Sequence, residues 1–130
     1  MENNKFSIRK KITKVFLGYE DNQISNKSYI QENLPNNMQI IKVTNTYKFI
    51  AQKISNNKII AIFNGKSEFG PRALGNRSIV ANALNPNIKR DLNLKIKLRE
   101  PFRPFAPIVL RSDAKKYLKL KIDSEFMLFI

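Results

Sequence analysis

Hydrophobic residues in the first half of the chain switch between strand-like runs and helical spacing. The short apolar run at 15–17 predicts a strand, and the mixed helical spacing of 24–34, ahead of a proline, predicts a helix. The branched residues in 40–43 predict a second strand, and apolar positions at i, i+3, i+4 and i+7 in 47–54 predict a second helix. The continuous apolar run at 58–63 predicts a strand that is buried on both faces.

The second half adds further elements, one of them ambiguous. Residues 78–83 and 105–110 are typical of strands, and 112–118 begins with Ser and Asp before a short helical stretch. Residues 85–96 begin with Asn-Pro and keep i+4 apolar spacing, which predicts a helix, although the overlapping 92–99 also alternates as a strand does. Strands and helices in alternation predict an α/β or α+β layered domain and not a helical bundle.

Length and composition narrow the class of protein. The chain has 130 residues, enough for one domain, and 42% of them are hydrophobic, which is typical of a globular body. It contains no Cys and no His, which excludes disulfides, imidazole catalysis and the usual zinc ligand sets. We therefore predict no metal site within the chain. No signal peptide or membrane span is evident, which predicts a cytoplasmic protein, and the apolar run at 126–130 leads us to expect a fragment.

The formal net charge of +14 indicates an anionic partner without saying which one. Nucleic acid, acidic lipid and phosphorylated metabolites all fit that charge. A compositional bias explains it equally well, because much of the excess is Lys in a chain that is also rich in Asn and Ile.

Glycines cluster directly after the apolar run at 58–63. Gly65, Gly70 and Gly75 surround Pro71, and such a loop can reach positive φ and let a ligand approach the main chain. The loop is a candidate phosphate cradle, but the spacing matches neither the P-loop nor the dinucleotide fingerprint. Taken alone, an ordinary surface loop is the commoner interpretation.

The arginines of the chain favour an anion site over an ordinary surface loop. Five of the seven arginines of the chain lie between Arg72 and Arg103. Four of the five lie among Pro, Gly, Phe and Leu residues: Arg72, Arg77, Arg99 and Arg103. The planar guanidinium binds phosphate or carboxylate oxygens in pairs and stays charged when partly buried. These arginines therefore indicate an anion site and not a merely solvated surface.

Two compact blocks contain most of these residues: EFGPRALGNRS at Glu68–Ser78 and KLREPFRPFAP at Lys97–Pro107. Both are almost unchanged from blocks of the ATP-dependent O-carbamoyltransferases, the nodulation and antibiotic carbamoyltransferase family, and their spacing is similar. Weaker similarity extends to 15–24 and 124–130. The chain thus resembles part of the carboxy-terminal domain of that family.

The resemblance implies a YrdC-like fold, a twisted mixed sheet of α/β (α+β) class with flanking helices. We expect that domain to be incomplete, because the family's later DGTAR-type strand and NTSFN-type loop have no counterpart in this chain. Residues 1–14 are then a basic, loosely ordered lead-in, and 15–130 are the amino-terminal portion of the domain.

The same resemblance implies the chemistry and the partners. In the family this domain is thought to join ATP, with magnesium, to carbamoyl phosphate as carbamoyl-adenylate. A Kae1-like domain, here in another chain or a missing part, then transfers the carbamoyl group to a substrate hydroxyl. Lys97 and Arg99 match the catalytic basic pair. Arg72, Arg77 and Arg103 match the other cavity arginines of the family, and Lys66 lies where the family more usually has Arg. We expect these four residues to bind substrate and nucleotide, with Ser78 as a hydrogen-bond donor.

Other residues of the two blocks have structural interpretations. We expect Glu68 to be a partner of a cavity arginine, with a magnesium ligand as the alternative. Phe69, Phe102 and Phe105 are expected in the core. Two other functions stay open: a basic nucleic-acid-binding module, which no RNA-recognition or helix-turn-helix signature supports, and an inactive remnant.

Overall fold

The computed structural model describes residues 14–20, 27–118, 124 and 126–127. The predicted lead-in at 1–14 lies almost entirely outside these residues. In chain order the elements are α1 (Lys27–Glu32), α2 (Thr46–Ser55), β1 (Ile60–Phe63), β2 (Arg77–Val80), α3 (Ile88–Asp91), a π-helix (Leu92–Ile96) and α4 (Ala114–Tyr117).

Strands β1 and β2 form an antiparallel pair in which Ile60 lies opposite Val80 and Phe63 opposite Arg77. Both strands were predicted, the second beginning one residue earlier than expected. The prediction that β1 is buried on both faces is wrong, because its residues alternate between half-buried and exposed and Phe63 is 59% exposed. The pair holds the ends of the glycine loop together.

Helix α2 confirms the prediction from helical spacing. The Asn45 side chain accepts a hydrogen bond from the Lys48 amide at 3.0 Å and so caps the first turn. The helix ends at Ser55 and is capped by Asn56. Asn57 follows with a φ of 57°, a left-handed conformation that asparagine tolerates better than most residues. Helix α2 contacts β1 and is the described helix nearest the sheet in sequence.

The predicted helix at 85–96 is also confirmed, with two differences. It begins at Ile88 and not at the Asn-Pro pair, and its second part is a π-helix in which the Lys97 amide bonds to the Leu92 carbonyl at 2.8 Å. Helices α1 and α4 confirm the remaining two helix predictions, although 24–26 lie outside the described residues.

Three predicted strands, at 15–17, 40–43 and 105–110, are wrong. Among the described residues the sheet has two strands, and none of these segments pairs with it. A strand needs a neighbour for its backbone hydrogen bonds, so an apolar run alone does not make one. The segment at 15–19 is instead bonded to the glycine loop, through Gly18 N to Ser67 O, Ser67 N to Tyr19 O and Phe69 N to Val15 O.

Little of the described chain is buried. Leu92, at 6% exposed, is the one described hydrophobic residue that counts as buried. The core positions predicted for Phe69, Phe102 and Phe105 are wrong, since these side chains are 75%, 74% and 38% exposed. The architecture is of the expected α/β class, a small antiparallel sheet with a few helices, consistent with an incomplete α+β domain. The YrdC-like arrangement stays a prediction.

The described helices include none with the length and apolar character needed to cross a membrane.

Gly18 lies so close to the glycine loop that a side chain does not fit. A Cβ on this residue would lie 2.9 Å from the Ser67 carbonyl oxygen, which is backbone and cannot rotate away. We expect Gly18→Ala to lower the free energy of unfolding by about 1–3 kcal/mol, the usual cost of overpacking. Urea denaturation followed by circular dichroism measures this. An unchanged midpoint would show that 15–19 does not pack on the loop.

Candidate functional site

The glycine loop between β1 and β2 is folded around the carboxylate of Glu68. Its Oε1 accepts three backbone hydrogen bonds, from the amides of Leu74 at 2.7 Å, Asn76 at 2.8 Å and Arg77 at 3.2 Å. One side-chain oxygen therefore binds three backbone amides of a segment that is mostly neither helix nor strand. Glu68 was expected to pair with a cavity arginine, but its partners in the loop are backbone amides.

Glycine is required at two points of this loop. Gly70 and Gly75 both have a φ of 122°, a conformation that residues with a side chain rarely adopt. The positive φ predicted from the glycine cluster is confirmed. The Gly75 amide donates to the Ser78 hydroxyl at 3.0 Å, so Ser78 is tied to the loop as well.

The guanidinium of Arg77 also holds the loop, through hydrogen bonds to backbone carbonyls. Its Nη1 donates to the carbonyls of Asn64 at 2.8 Å and Asn76 at 3.0 Å, and its Nη2 donates to the Gly65 carbonyl at 3.0 Å. Its carbon lies 3.6 Å from the centre of the Phe63 ring. Both terminal nitrogens of Arg77 therefore already have protein partners in this structure.

Lys66 and Arg72 lie on the same loop with exposed side chains. The Lys66 carbonyl accepts a hydrogen bond from the Asn76 side chain at 2.7 Å, which constrains the backbone of Lys66. The loop thus presents two exposed positive charges on a backbone held by Glu68 and Arg77.

The second block is organised by Asn93, which is 0% exposed. Its Nδ2 donates to the carbonyls of Pro101 at 3.1 Å and Arg103 at 3.0 Å, and its Oδ1 accepts from Nε of Arg99 at 2.7 Å. Its backbone carbonyl accepts from the Arg99 amide at 2.9 Å. The π-helix therefore holds the following loop through one buried side chain.

Arg99 is half-buried, and its guanidinium carbon lies 4.8 Å from the centre of the Phe105 ring. Within the part of the chain that the structure describes, its two terminal nitrogens have no hydrogen-bond partner. Leu98 has a left-handed φ of 46°, which turns the chain between Lys97 and Arg99. Lys97 is exposed, and Arg103 makes a loose ion pair with Glu100 at 3.7 Å, of the kind that contributes little to stability.

The structure groups the predicted site residues into two sets. The glycine loop and the start of β2 contain Lys66, Arg72, Arg77 and Ser78, and the segment after the π-helix contains Lys97, Arg99 and Arg103. Within the described residues no hydrogen bond or ion pair joins the two sets. An open depression of about 370 Å³ lies on α3 and the π-helix, lined by Asn87, Arg90, Asp91, Leu94 and Lys95, and none of the predicted site residues lines it.

Asn93 was missed by the sequence analysis. It lies between Leu92 and Leu94 in a stretch that alternates like a strand, so no periodicity distinguishes it from a surface residue. Only the folded structure distinguishes Asn93, as a buried polar side chain whose donors and acceptor all have hydrogen-bond partners.

Comparison with known proteins identifies the family. A profile described as "Carbamoyltransferase C-terminus" matches residues 51–130, which is more than half of the chain. The chain belongs to this carbamoyltransferase family. The match includes both blocks and both sets of basic residues.

Relatives agree with this assignment. The chain is 43% identical over 83 residues to nodulation protein NolNO of Sinorhizobium fredii, covering 62% of this chain and 12% of that protein. It is 45% identical over 80 residues to nodulation protein U of the same species, covering 62% and 14%. An uncharacterised protein of Methanocaldococcus jannaschii is 38% identical over 122 residues, covering 89% and 23%. The chain thus spans less than a quarter of the length of each of these relatives.

The Glu68 carboxylate should make the stability of the loop depend on pH. Partial burial, the largest single influence, raises the pKa of Glu68, but the hydrogen bonds from Leu74, its own amide, Asn76 and Arg77 together bring it below the ordinary 4.5. A lowered folded-state pKa gives stability that is complete above pH 4.5 and is lost as the pH falls through the lowered value.

We expect Glu68→Gln to remove this acid dependence, because the amide does not titrate. The measurement is an NMR titration of the Leu74 and Asn76 amides from neutral to acidic pH. Glu100→Gln, at an exposed carboxylate of the second block, is the matched control and should leave the titration of these amides unchanged. Amides that titrate identically in wild type and Glu68→Gln would contradict the arrangement.

Proposed function

We propose that this chain is the part of a carbamoyltransferase that binds ATP and carbamoyl phosphate for the formation of carbamoyl-adenylate. The observation that carries the proposal is Arg99. Its Nε is bonded to Asn93 at 2.7 Å and its plane lies near Phe105, while both terminal nitrogens have no partner among the described residues. A guanidinium fixed in this way can bind two oxygens of one phosphate.

Lys97 and Arg99 have the catalytic role in this proposal. Adenylation brings two polyanions together, and charge develops on the groups that are transferred and released. Two fixed positive charges beside those groups lower the energy of the transition state more than that of the bound substrates. The exposed Lys97 and the half-buried Arg99 are separated by a single residue, so both can face one ligand.

The other basic residues have supporting roles. Lys66, Arg72 and Arg103 are exposed and would contact the phosphates directly. Direct ligand contact by Arg77 and Ser78 stays a prediction, since the structure has them bonded to loop carbonyls and to the Gly75 amide. In that arrangement they shape the loop that carries Lys66 and Arg72.

In the proposed reaction, ATP, carbamoyl phosphate and one water molecule give carbamoyl-adenylate, phosphate and pyrophosphate. No group of three or more metal-ligating carboxylates lies among the described residues. In this proposal magnesium enters bound to the phosphates of ATP, as it usually does at nucleotide sites.

The proposal includes a partner domain for the transfer step. The chain covers 12–23% of the relatives described above, and among its described residues only Leu92 forms a buried apolar core. A Kae1-like carbamoyltransferase domain in another polypeptide would supply the transfer of the carbamoyl group to the acceptor hydroxyl. This chain would supply the basic residues for the anionic substrates, in the cytoplasm where these metabolites occur.

Simple energetics predict weak binding by the chain alone. Four charge-assisted hydrogen bonds at about 1.5–3 kcal/mol each contribute roughly 6–12 kcal/mol. The cost of association is about 4–15 kcal/mol, which leaves little net free energy. We therefore expect a Kd for ATP near or above about 1 mM.

Replacing Arg99 should weaken that binding. Because a charge-assisted hydrogen bond contributes about 1.5–3 kcal/mol, Arg99→Ala is expected to raise the Kd for ATP at least about tenfold. Titration of ¹⁵N-labelled protein with ATP, alone and with carbamoyl phosphate, measures this from the amide shifts of Lys97 and Arg99.

Arg90→Ala is the matched control, because Arg90 is an exposed arginine just before the π-helix and lies in neither set. It should bind ATP as the wild type does, apart from a small loss of general attraction. No amide shifts in the wild type at saturating ATP, or an equal loss in both variants, would overturn the proposed function. We also expect little pyrophosphate release without the partner, and efficient release by the chain alone would contradict that dependence.

A further inference from the structure

The geometry points to Asn93 as a positioning residue that holds Arg99 in the orientation needed to bind an oxyanion. The inference rests on the proposed function, to which it adds a residue outside both sequence blocks that acts through another side chain. The inference depends on the hydrogen bonds of the buried Asn93 carboxamide and on the two terminal nitrogens of Arg99, which those bonds do not use.

The orientation of the Asn93 amide is determined by its neighbours. Two carbonyl oxygens, of Pro101 and Arg103, face Nδ2, and the Nε–H of Arg99 faces Oδ1. Rotating the amide by half a turn would place an oxygen against two carbonyls and an NH₂ group against the guanidinium. Because the side chain is fully buried, no water replaces a bond that is lost.

Arg99 is constrained at three points by this arrangement. Its amide bonds to the Asn93 carbonyl at 2.9 Å, its Nε bonds to the Asn93 side chain at 2.7 Å, and its guanidinium lies 4.8 Å from the Phe105 ring centre. A free arginine side chain loses rotamer entropy when it binds a ligand. Fixing Nε in advance reduces that loss and leaves Nη1 and Nη2 as a paired donor.

The same carboxamide fixes the backbone on which Arg103 lies. Its bonds to the Pro101 and Arg103 carbonyls connect the π-helix to the turn closed by the Arg103 amide on the Glu100 carbonyl at 3.3 Å. One side chain therefore sets the relative position of two basic residues. A π-helix, which is uncommon and often found at functional sites, places that side chain inside the loop.

The first experiment needs no ligand. Hydrogen exchange of the Arg99 Nε–H, measured by ¹⁵N NMR, should be about tenfold slower than that of the exposed Arg72, as one buried hydrogen bond predicts. Asn93→Ala should abolish the difference, and Asn87→Ala, the same change at an exposed position, should keep it. Equal exchange of Arg99 and Arg72 in the wild type would overturn the inference.

The second experiment separates positioning from general stability. We expect Asn93→Ala to raise the Kd for ATP about tenfold when Arg99 is present. In an Arg99→Lys background the increase should be clearly smaller, since lysine has no Nε–H for Asn93 to hold and only the bonds to the Pro101 and Arg103 carbonyls are then lost. A merely structural role for Asn93 would give the same loss in both backgrounds, and that result would refute positioning.

Two further outcomes are distinguishable. If Asn93→Ala does not fold, the comparison of Arg99 with Arg72 in the wild type still tests the inference, because equal exchange of the two Nε–H groups overturns it without any variant. If the wild type binds no ATP, the proposed function fails, and the exchange experiment still decides whether Asn93 holds Arg99.

Discussion

Hydrogen bonds to two polar side chains, and not a large apolar core, fix the loops on which the basic residues lie. Asn93 connects the π-helix to the segment that carries Arg99 and Arg103, and Glu68 gathers the amides of the glycine loop. Among the described residues, Leu92 and Asn93 are the buried pair, side by side in the chain. The remaining arrangement depends on these contacts, because short loops without a ladder of hydrogen bonds need side-chain partners.

The two loops use their arginines differently. Arg77 donates its terminal nitrogens to loop carbonyls and stacks on Phe63, so in this structure it holds the loop together. Arg99 is held through Nε, and among the described residues its terminal nitrogens have no hydrogen-bond partner. The same residue type thus stabilises a loop in one block, whereas in the other it keeps the two donors on which the proposed function depends. Which nitrogens are used decides between the two roles.

Local signals predicted the elements that depend on local interactions. The spacing of Tyr47 and Ile54 places apolar residues on one face of α2, and Asn45 caps it through a bond only three residues long. The strands predicted at 40–43 and 105–110 failed for the opposite reason. A strand depends on a neighbour far away in sequence, and in the described structure that neighbour is absent, so most of their apolar residues stay exposed.

Residue type and spacing along the chain were enough to predict the class of fold, the family, and a glycine loop with positive φ, which Gly70 and Gly75 have. Three features became visible only in the folded chain: the bonds of Glu68 to backbone amides, the engagement of the Arg77 guanidinium and the burial of Asn93. Each of these depends on which donor lies opposite which acceptor. That pairing is set by the path of the chain through space, and residue spacing does not encode it.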